Sequence, residues 1–419
     1  MKKAIFSTEI SLLRRTIQRL LRRKATTNLT KILRKTHPAD VALLMRGFSG
    51  SEQKTIFSLC PTFNHKAKVL EELDESLIEY MLVDESSINI SKMFVYLDTN
   101  DQAAIISMFP DKKQKEILKK IEVEDLEDVE EIMSYPDDSA GSIMTKETFT
   151  LNQNTTIKEA IKKLQSFPEN DKIFYVYVLD DKEKLVGVIS LRNLVTSNNT
   201  TKLKDMMIKD IHAATSKTDQ EEVAKTVAQY NYLALPVVNR QNKFLGIVTI
   251  DDVVDIIREE ASEDFLQMAG AGKDREILMK SSWDNARSRL PWLFASWVGG
   301  ICAAAVIGIF DNTLQGTLAL AAFIPVVIGM GGNIGTQTST LVVRGLATGR
   351  VNVGNNLSII LKEIRVGIIL GILYGLMLGL FAIIQFVEIS PYLGLVVGLG
   401  IAGSMLIATA FGSLVPLLL

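Results

Sequence analysis

Cysteine is nearly absent from this chain: Cys60 and Cys302 are the only two in 419 residues, and they lie in different halves. Two thiols so placed give no disulfide framework and no cysteine-based metal spacing. Histidine is almost as scarce. His37, His65 and His212 are scattered without metal-ligand spacing and read as core or surface residues. Also missing are a glycine-rich phosphate loop and any nucleophile–base arrangement, which argues against an enzyme. The net charge of −2 gives no reason to expect nucleic acid as a partner. The basic, amphipathic start, Met1 to Lys24, has neither the unbroken apolar core nor the small-residue cleavage site of a signal peptide.

Charge itself is missing from the last third. After about Leu290 only Asp311, Arg344, Arg350, Lys362, Glu363, Arg365 and Glu388 are charged, whereas the chain before it is rich in Lys, Glu and Asp. Four apolar stretches fill this part, approximately Pro291–Phe310, Leu318–Val343, Ile364–Val387 and Pro391–Leu419. Each is near or above the roughly 20 residues that a helix needs to cross the hydrocarbon core. Arg287 and Arg289 precede the first stretch, and Arg344, Arg350, Lys362 and Arg365 lie between the second and third. The other two loops carry only Asp311 and Glu388, so the positive-inside rule puts the large N-terminal part in the cytoplasm. A multi-pass protein of the cytoplasmic (inner) membrane, in contact with lipid, is therefore predicted.

Two of these stretches carry unusual residues. Gly367, Gly371, Gly375 and Gly379 recur every four positions in the third, so they share one helix face and let a neighbouring helix come close. We read that stripe as packing. The second stretch is interrupted at Pro325, which frees a backbone carbonyl and can kink a helix, and then holds a polar, glycine-rich run. Oxygen donors at membrane depth cost free energy unless they face protein or a water-filled path. Gly331, Gly332, Asn333, Gly335, Thr336 and Gln337 are thus the candidate pore residues. For Asn333, Thr336 and Gln337 the alternative is hydrogen bonding between helices.

The soluble part contains an internal repeat between about Met144 and Glu260. Val176–Leu179 followed by Leu185–Ser190 is echoed by Leu235–Val238 followed by Leu245–Thr249, each a β-branched run, a polar turn and a second run with one glycine. Helices are predicted upstream of each hairpin, at Ile157–Gln165 and Gln220–Tyr230, and another follows each. This doubled β-α-β-β-α pattern resembles a tandem pair of cystathionine-β-synthase-type (CBS) domains, a resemblance that implies ligand or ion sensing and makes a nucleotide in the cleft possible. Before the repeat, short amphipathic helices are predicted at Ala39–Arg46, Ser51–Leu59, Asp101–Met108 and Lys113–Ile121.

Acidic residues concentrate where the repeat ends. Asp251, Asp252, Asp255, Glu259, Glu260, Glu263 and Asp264 face a single base, Arg258. Asp252, Asp255, Glu259 and Glu263 fall three or four apart, so four carboxylates share one helix face and oppose its formation. Such a run is either a solvated acidic face or a site for a hard divalent cation, which takes oxygen ligands. Its position, leading directly into the first membrane stretch, favours the cation.

Taken with their order along the chain, three motifs resemble the MgtE family of magnesium channels and transporters. They are Tyr135-Pro136-Asp137-Asp138-Ser139-Ala140-Gly141-Ser142-Ile143-Met144-Thr145, the Asp219-Gln220-Glu221-Glu222-Val223-Ala224 opening of the second CBS copy, and the Gly331–Gln337 run. The resemblance implies a multidomain membrane protein: a helical N-terminal array over 1–135, CBS copies over 136–200 and 201–262, a plug or connecting helix over 263–289, and an α-helical transmembrane bundle over 290–419. It also implies a homodimer with the pore on its two-fold axis, transporting Mg²⁺ and held shut by cytosolic Mg²⁺. The acids matching the family's regulatory sites are Asp219, Glu221, Asp252, Asp255, Glu260, Glu263 and Asp264. The acidic face adds Glu259, Asp98 and Asp101 are looser N-domain candidates, and Asn231 stands where the family can carry an acid.

The family has five membrane helices, with a pore aspartate on the fifth. This sequence reaches Leu419 with four predicted spans, none containing Asp or Glu, so the reading is a member lacking the fifth helix. Its pore would then offer only Asn333, Thr336, Gln337 and backbone carbonyls, and its C-terminus would be cytoplasmic. Two other readings stay open at this level: a non-conducting, membrane-anchored CBS regulatory protein, and a transporter of another divalent cation such as Co²⁺, since neutral oxygens discriminate poorly among hard divalents.

Overall fold

The computed structural model describes residues 7–121, 123–167, 173–268, 282–310, 318–347, 356–386 and 392–418. It divides into two compact units, Met1–Arg258 and Glu259–Leu419.

The first unit opens with a run of short helices from Ser7–Arg22 to Val123–Met133. Polar side chains start them. Ser49 and Glu52 form a capping box, and the Thr62 and Ser86 hydroxyls accept the backbone N–H groups of His65 and Asn89. The predicted helices lie at Pro38–Met45, Gly50–Ser58, Thr99–Ser107 and Asp111–Leu118, each beginning one or two residues early because the cap, not the first apolar residue, sets the start. Cys60 and His65 are buried, and burial pushes the Cys60 thiol up to about 12, which makes it an inert packing residue.

Two three-stranded sheets follow. The first has β1 (Thr150–Asn152) parallel to β2 (Tyr175–Leu179), with β3 (Leu185–Ser190) antiparallel to β2; β4 (Ala214–Thr215), β5 (Ala234–Val238) and β6 (Phe244–Thr249) repeat that order. Both hairpins slip register at the same place, between Val178 and Leu179 and between Val237 and Val238. The repeat is therefore structural as well as sequential.

The linkers are exchanged between the copies. Val188 of β3 bridges to Ile208, from the segment leading into the second copy. Ile247 of β6 bridges instead to Thr145, from the segment leading into the first. The Ala140 N–H donates to Thr218 O at 2.7 Å and the Gly141 N–H to Ser216 O at 3.0 Å, fixing residues 138–147 on the second copy. Gly141 and Gly246 are small because of this: a Cβ on Gly141 would lie 2.5 Å from the Tyr135 ring, and one on Gly246 2.5 Å from Thr145 O. One apolar core consequently runs from Ile17 and Leu33 through Ile105 and Met144 to Val248 and Ile256, whereas the first copy has a separate core around Val176 and Ile189.

Among the described residues the second unit holds four helices long and apolar enough to cross a membrane, Ser282–Ile309, Leu318–Leu346, Leu357–Phe386 and Leu393–Leu417. The first begins nine residues before Pro291, which lies inside the helix instead of opening it. Pro325 does not kink a continuous helix either. A short helix, Leu318–Ala321, ends before it, and Pro325 occupies the first turn of Ile324–Ala347, where its missing N–H costs nothing. The glycine stripe of the third span packs on a matching stripe of the fourth: a Cβ on Gly375 would lie 2.8 Å from Gly398 O, and one on Gly379 2.7 Å from Gly394 O. A Gly375→Leu variant is expected to force the two helices apart and lose about 1–3 kcal/mol, read as a lower melting temperature in detergent.

Candidate functional site

The sequence-predicted acids fall into three places. The first is a seam within the cytosolic unit. Helix Ile250–Met268 starts with Asp252, whose Oδ2 accepts the Thr249 hydroxyl at 2.6 Å and the Thr249 N–H at 3.2 Å. Its Oδ1 accepts from Asn100 Nδ2 at 3.4 Å, across to helix Thr99–Ser107. The same helix end is tied down by Glu147, which accepts the Thr99 hydroxyl at 2.7 Å and the Thr99 N–H at 3.3 Å.

Asp101 follows Asn100 in the same first turn of the helix. Burial pushes its carboxyl well above the ordinary aspartate range; the carboxylates of Asp252, Glu71 and Asp98 push it further, and only the Lys68 ammonium opposes them. Lys68 itself is bonded to Glu71 at 2.5 Å. Sequence reading named Asp98, Asp101 and Asp252 but missed Asn100, Glu71 and Lys68, polar residues of ordinary helix termini, and Glu147, which lies in the segment between helix Ala140–Ile143 and β1; none has a pattern of its own. Among the described residues no three His, Cys, Asp or Glu side chains converge in metal-binding geometry. The seam is an electrostatic cluster, and its donor chemistry suits a hard cation: several carboxylates plus Asn100 Oδ1, which is buried and accepts no hydrogen bond.

The second place is the opening of helix Gln220–Tyr230. Asp219 caps it, accepting the Glu221 N–H at 2.8 Å, and Glu221 pairs with Lys225 at 2.8 Å on the surface. Asn231 has φ 55° at the C-terminus of this helix, a left-handed conformation that asparagine tolerates, so its identity has a backbone reason. The third place is the rest of helix Ile250–Met268. It runs unbroken through Asp255, Glu259, Glu260, Glu263 and Asp264; Asp255 lies 3.4 Å from Arg258, and Glu263 accepts from Gln267 at 2.9 Å. The part of the predicted plug helix at 269–281 lies outside the described residues.

The candidate pore residues divide between two faces of helix Ile324–Ala347. Gly331, Ile334 and Thr338 are buried, and Gly331 and Gly335 meet the fourth span at Ser404 and Ala408. Gly332, Asn333, Thr336 and Gln337 turn the other way and are exposed. The Thr336 hydroxyl donates to Gly332 O on the same face at 3.0 Å. Among the described residues none covers that polar face, in a helix otherwise fit for hydrocarbon.

Comparison with known proteins decides the family. Residues 324–419 match the MgtE divalent cation transporter model, 36–138 the MgtE intracellular N domain, and 140–197 and 203–259 the CBS domain. The magnesium transporter MgtE of Bacillus subtilis is 31% identical over 404 residues, covering 96% of this chain and 88% of that protein. MgtE of Thermus thermophilus is 30% identical over 413 residues, 96% of this chain and 90% of that one. The chain belongs to the MgtE family. Among solved structures, the cytosolic domain of the Mg²⁺ channel MgtE in complex with ATP matches 58% of this chain and 99% of its own, at TM-score 0.55 and 28% identity. The soluble part of a magnesium transporter matches 60% of this chain and all of its own, at TM-score 0.53 and 25% identity. As a family of transporters MgtE gives no enzymatic role, in line with the missing catalytic motifs.

The seam has a pH signature. Asp101 titrates near 3.8 when unfolded and well above it when folded, so the folded state holds its proton more tightly. Stability of the cytosolic unit should therefore rise as pH falls from above the folded value toward 3.8, and the gain should be lost as pH rises back through the folded value. In metal-free buffer Asp101→Asn should melt about 2–4 °C above the wild type and lose part of that pH dependence, as measured by thermal unfolding.

Proposed function

We propose that this chain carries Mg²⁺ across the cytoplasmic membrane, along a path lined by Asn333, Thr336 and Gln337 of the second span. One observation carries the reading. A contiguous polar face, Gly332, Asn333, Thr336 and Gln337, lies open on a spanning helix that buries its other side. Such a face is costly against lipid and stable against water or a hydrated ion. Mg²⁺ gives up its waters reluctantly, so carbonyl and hydroxyl oxygens that contact its hydration shell suit it as cargo. Asn333→Leu is expected to abolish Mg²⁺ uptake into cells lacking their own importers while the protein still reaches the membrane and keeps its melting temperature. Uptake at the wild-type rate would remove Asn333 from the path.

The protein works as a homodimer. No residue of the first span, Ser282–Ile309, is buried within one chain, and Gly299, Gly300 and Gly308 meet nothing within 4 Å. Three close-approach glycines on an uncovered helix suit a second copy, and two copies would enclose the polar faces of their second spans.

Cytosolic Mg²⁺ closes the channel by relieving repulsion at the acidic seam, with Asp98, Asp101, Asp252 and Asn100 Oδ1 as the oxygens that would meet it. Asp219, Glu221, Asp255, Glu259, Glu260, Glu263 and Asp264 supply further negative potential along the connection to the spans. Doubly neutral Asp101→Asn/Asp252→Asn channels are expected to need at least about tenfold more internal Mg²⁺ for half-inhibition of flux, a change of about 1.4 kcal/mol in the gating equilibrium. An unchanged midpoint would sink the seam as the sensor.

A nucleotide occupies the seam between the two CBS sheets. Supporting this, Tyr177 is 2% exposed there, with Phe244 and Tyr175 rings at 5.2 and 6.3 Å, and its hydroxyl has no hydrogen-bond partner among the described residues. His212, stacked on Tyr230 at 4.2 Å and bonded to Tyr232 at 2.7 Å, adds flat aromatic surface suited to a base.

A further inference from the structure

Between Ser11 and His37 the sequence has nine Lys and Arg and no Asp or Glu. Seven of them lie in the first two helices, Ser7–Arg22 and Thr26–Lys35; Arg14 reaches back to Gly47 O and the Phe48 ring, and the other six are on the outer faces. Ile17, Leu29 and Leu33 are buried and Ile10, Leu13 and Leu21 pack beside them, so the apolar faces are already used by the core. Opposite, Arg15, Arg19 and Arg22 follow one another at four- and three-residue spacing, all exposed, and the second helix adds exposed Lys31, Arg34 and Lys35. Among the described residues no ion pair involves any of these six; Arg22 exerts a weak attraction on the Glu52 carboxylate. The helix dipole favours cations in a last turn, but Arg15 and Lys31 lie outside the last turns. Like charges three and four apart destabilise a helix. Leu12, on the edge of the arginine stripe, is 66% exposed.

From this geometry we propose that the outer face of the first helix pair docks on the anionic phospholipid headgroups of the cytoplasmic leaflet. Charge complementarity selects the occupant. The soluble unit and the basic ends of the spans, Arg344, Lys362 and Arg365, lie on the same side by the positive-inside rule, and that leaflet is the anionic one. The cytosolic unit is covalently joined to helices in the bilayer, so the headgroups are the polyanion always present at high effective concentration. Arg15, Arg19 and Arg22 meet phosphates, and Leu12 reaches the apolar boundary. The inference is independent of conduction: it concerns a face that neither the seam nor the pore uses.

The test uses the full chain in lipid nanodiscs, with a fluorophore on Gln18→Cys in a Cys60→Ala/Cys302→Ala background. Gln18 is exposed beside the stripe. Discs contain phosphatidylcholine alone or with a quarter phosphatidylglycerol, each with a trace of lipid carrying a quencher near the headgroup. Quenching is expected in the phosphatidylglycerol discs only, lost in high salt and lost in Arg15→Gln/Arg19→Gln/Arg22→Gln. At about fivefold per cation, removing three weakens docking on the order of 100-fold. The substitutions leave Ile17 and the core intact, so an unchanged melting temperature certifies the fold. Equal quenching in both disc types, or an unaffected triple variant, overturns the proposal. So does single-stranded RNA that binds through the same arginines and displaces the quenching, which would make the face a nucleic-acid site.

Discussion

Burial of the Asp101 carboxyl beside the carboxylates of Asp252, Glu71 and Asp98 is the constraint on which the cytosolic half turns. Two carboxylates about 5 Å apart repel by roughly 3 kcal/mol at an effective dielectric near 20. Burying one leucine-sized side chain returns about 1.5–3 kcal/mol. The continuous core from Ile17 to Ile256 therefore has to outweigh a charge cluster built into its own rim. A structure held together on those terms responds to anything that changes the charge at the rim. Moving a two-state equilibrium from almost fully open to almost fully closed takes about 5.5 kcal/mol, which two relieved repulsions would supply.

In the membrane half a single helix has two opposed tasks. One face of Ile324–Ala347 is smooth enough for the fourth span to approach, since Gly331 and Gly335 leave room for Ser404 and Ala408. The other face carries Asn333, Thr336 and Gln337. Rigid packing on one side holds the polar atoms of the other at fixed positions. The glycine contacts between the third and fourth spans extend the same logic, giving a stiff support of three helices to a face that must not collapse.

Much of this was legible in the sequence because periodicity survives folding. The helices Ile157–Gln165 and Gln220–Tyr230 appear at the residues predicted, and the two hairpins fall within a residue or two of their predicted runs. The glycine stripe packs as read. Strands β1 and β4, the first strand of each predicted β-α-β-β-α unit, could not be given bounds, since three and two residues are too few to show alternation. The span starting at Ser282 was placed late, because hydropathy marks the hydrocarbon while the helix continues into charged sequence. Most of all, no local pattern could reveal that Asn100 and Glu147 would join Asp252 and Thr99, contacts made across 152 and 48 residues of chain.

That long-range meeting has a topological cause. Because the linkers are exchanged, the segment leaving the N-terminal helices lands on β6 of the second copy through Thr145 and Ile247, not on the first copy it precedes. The helix Thr99–Ser107 is thereby carried to the second copy's helix start. In the repeat, Ser190 and Asn193 of the first copy stand where Thr249 and Asp252 stand in the second, and both pairs make the same cap. The Asp252 carboxylate in addition accepts the Thr249 N–H and hydroxyl, so it has a capping role of its own besides its charge. The negative charge is found only in the copy onto which the N-terminal helices are threaded, where an Asp101 is waiting to be repelled. At this cap the difference between the copies thus coincides with the exchange of the linkers.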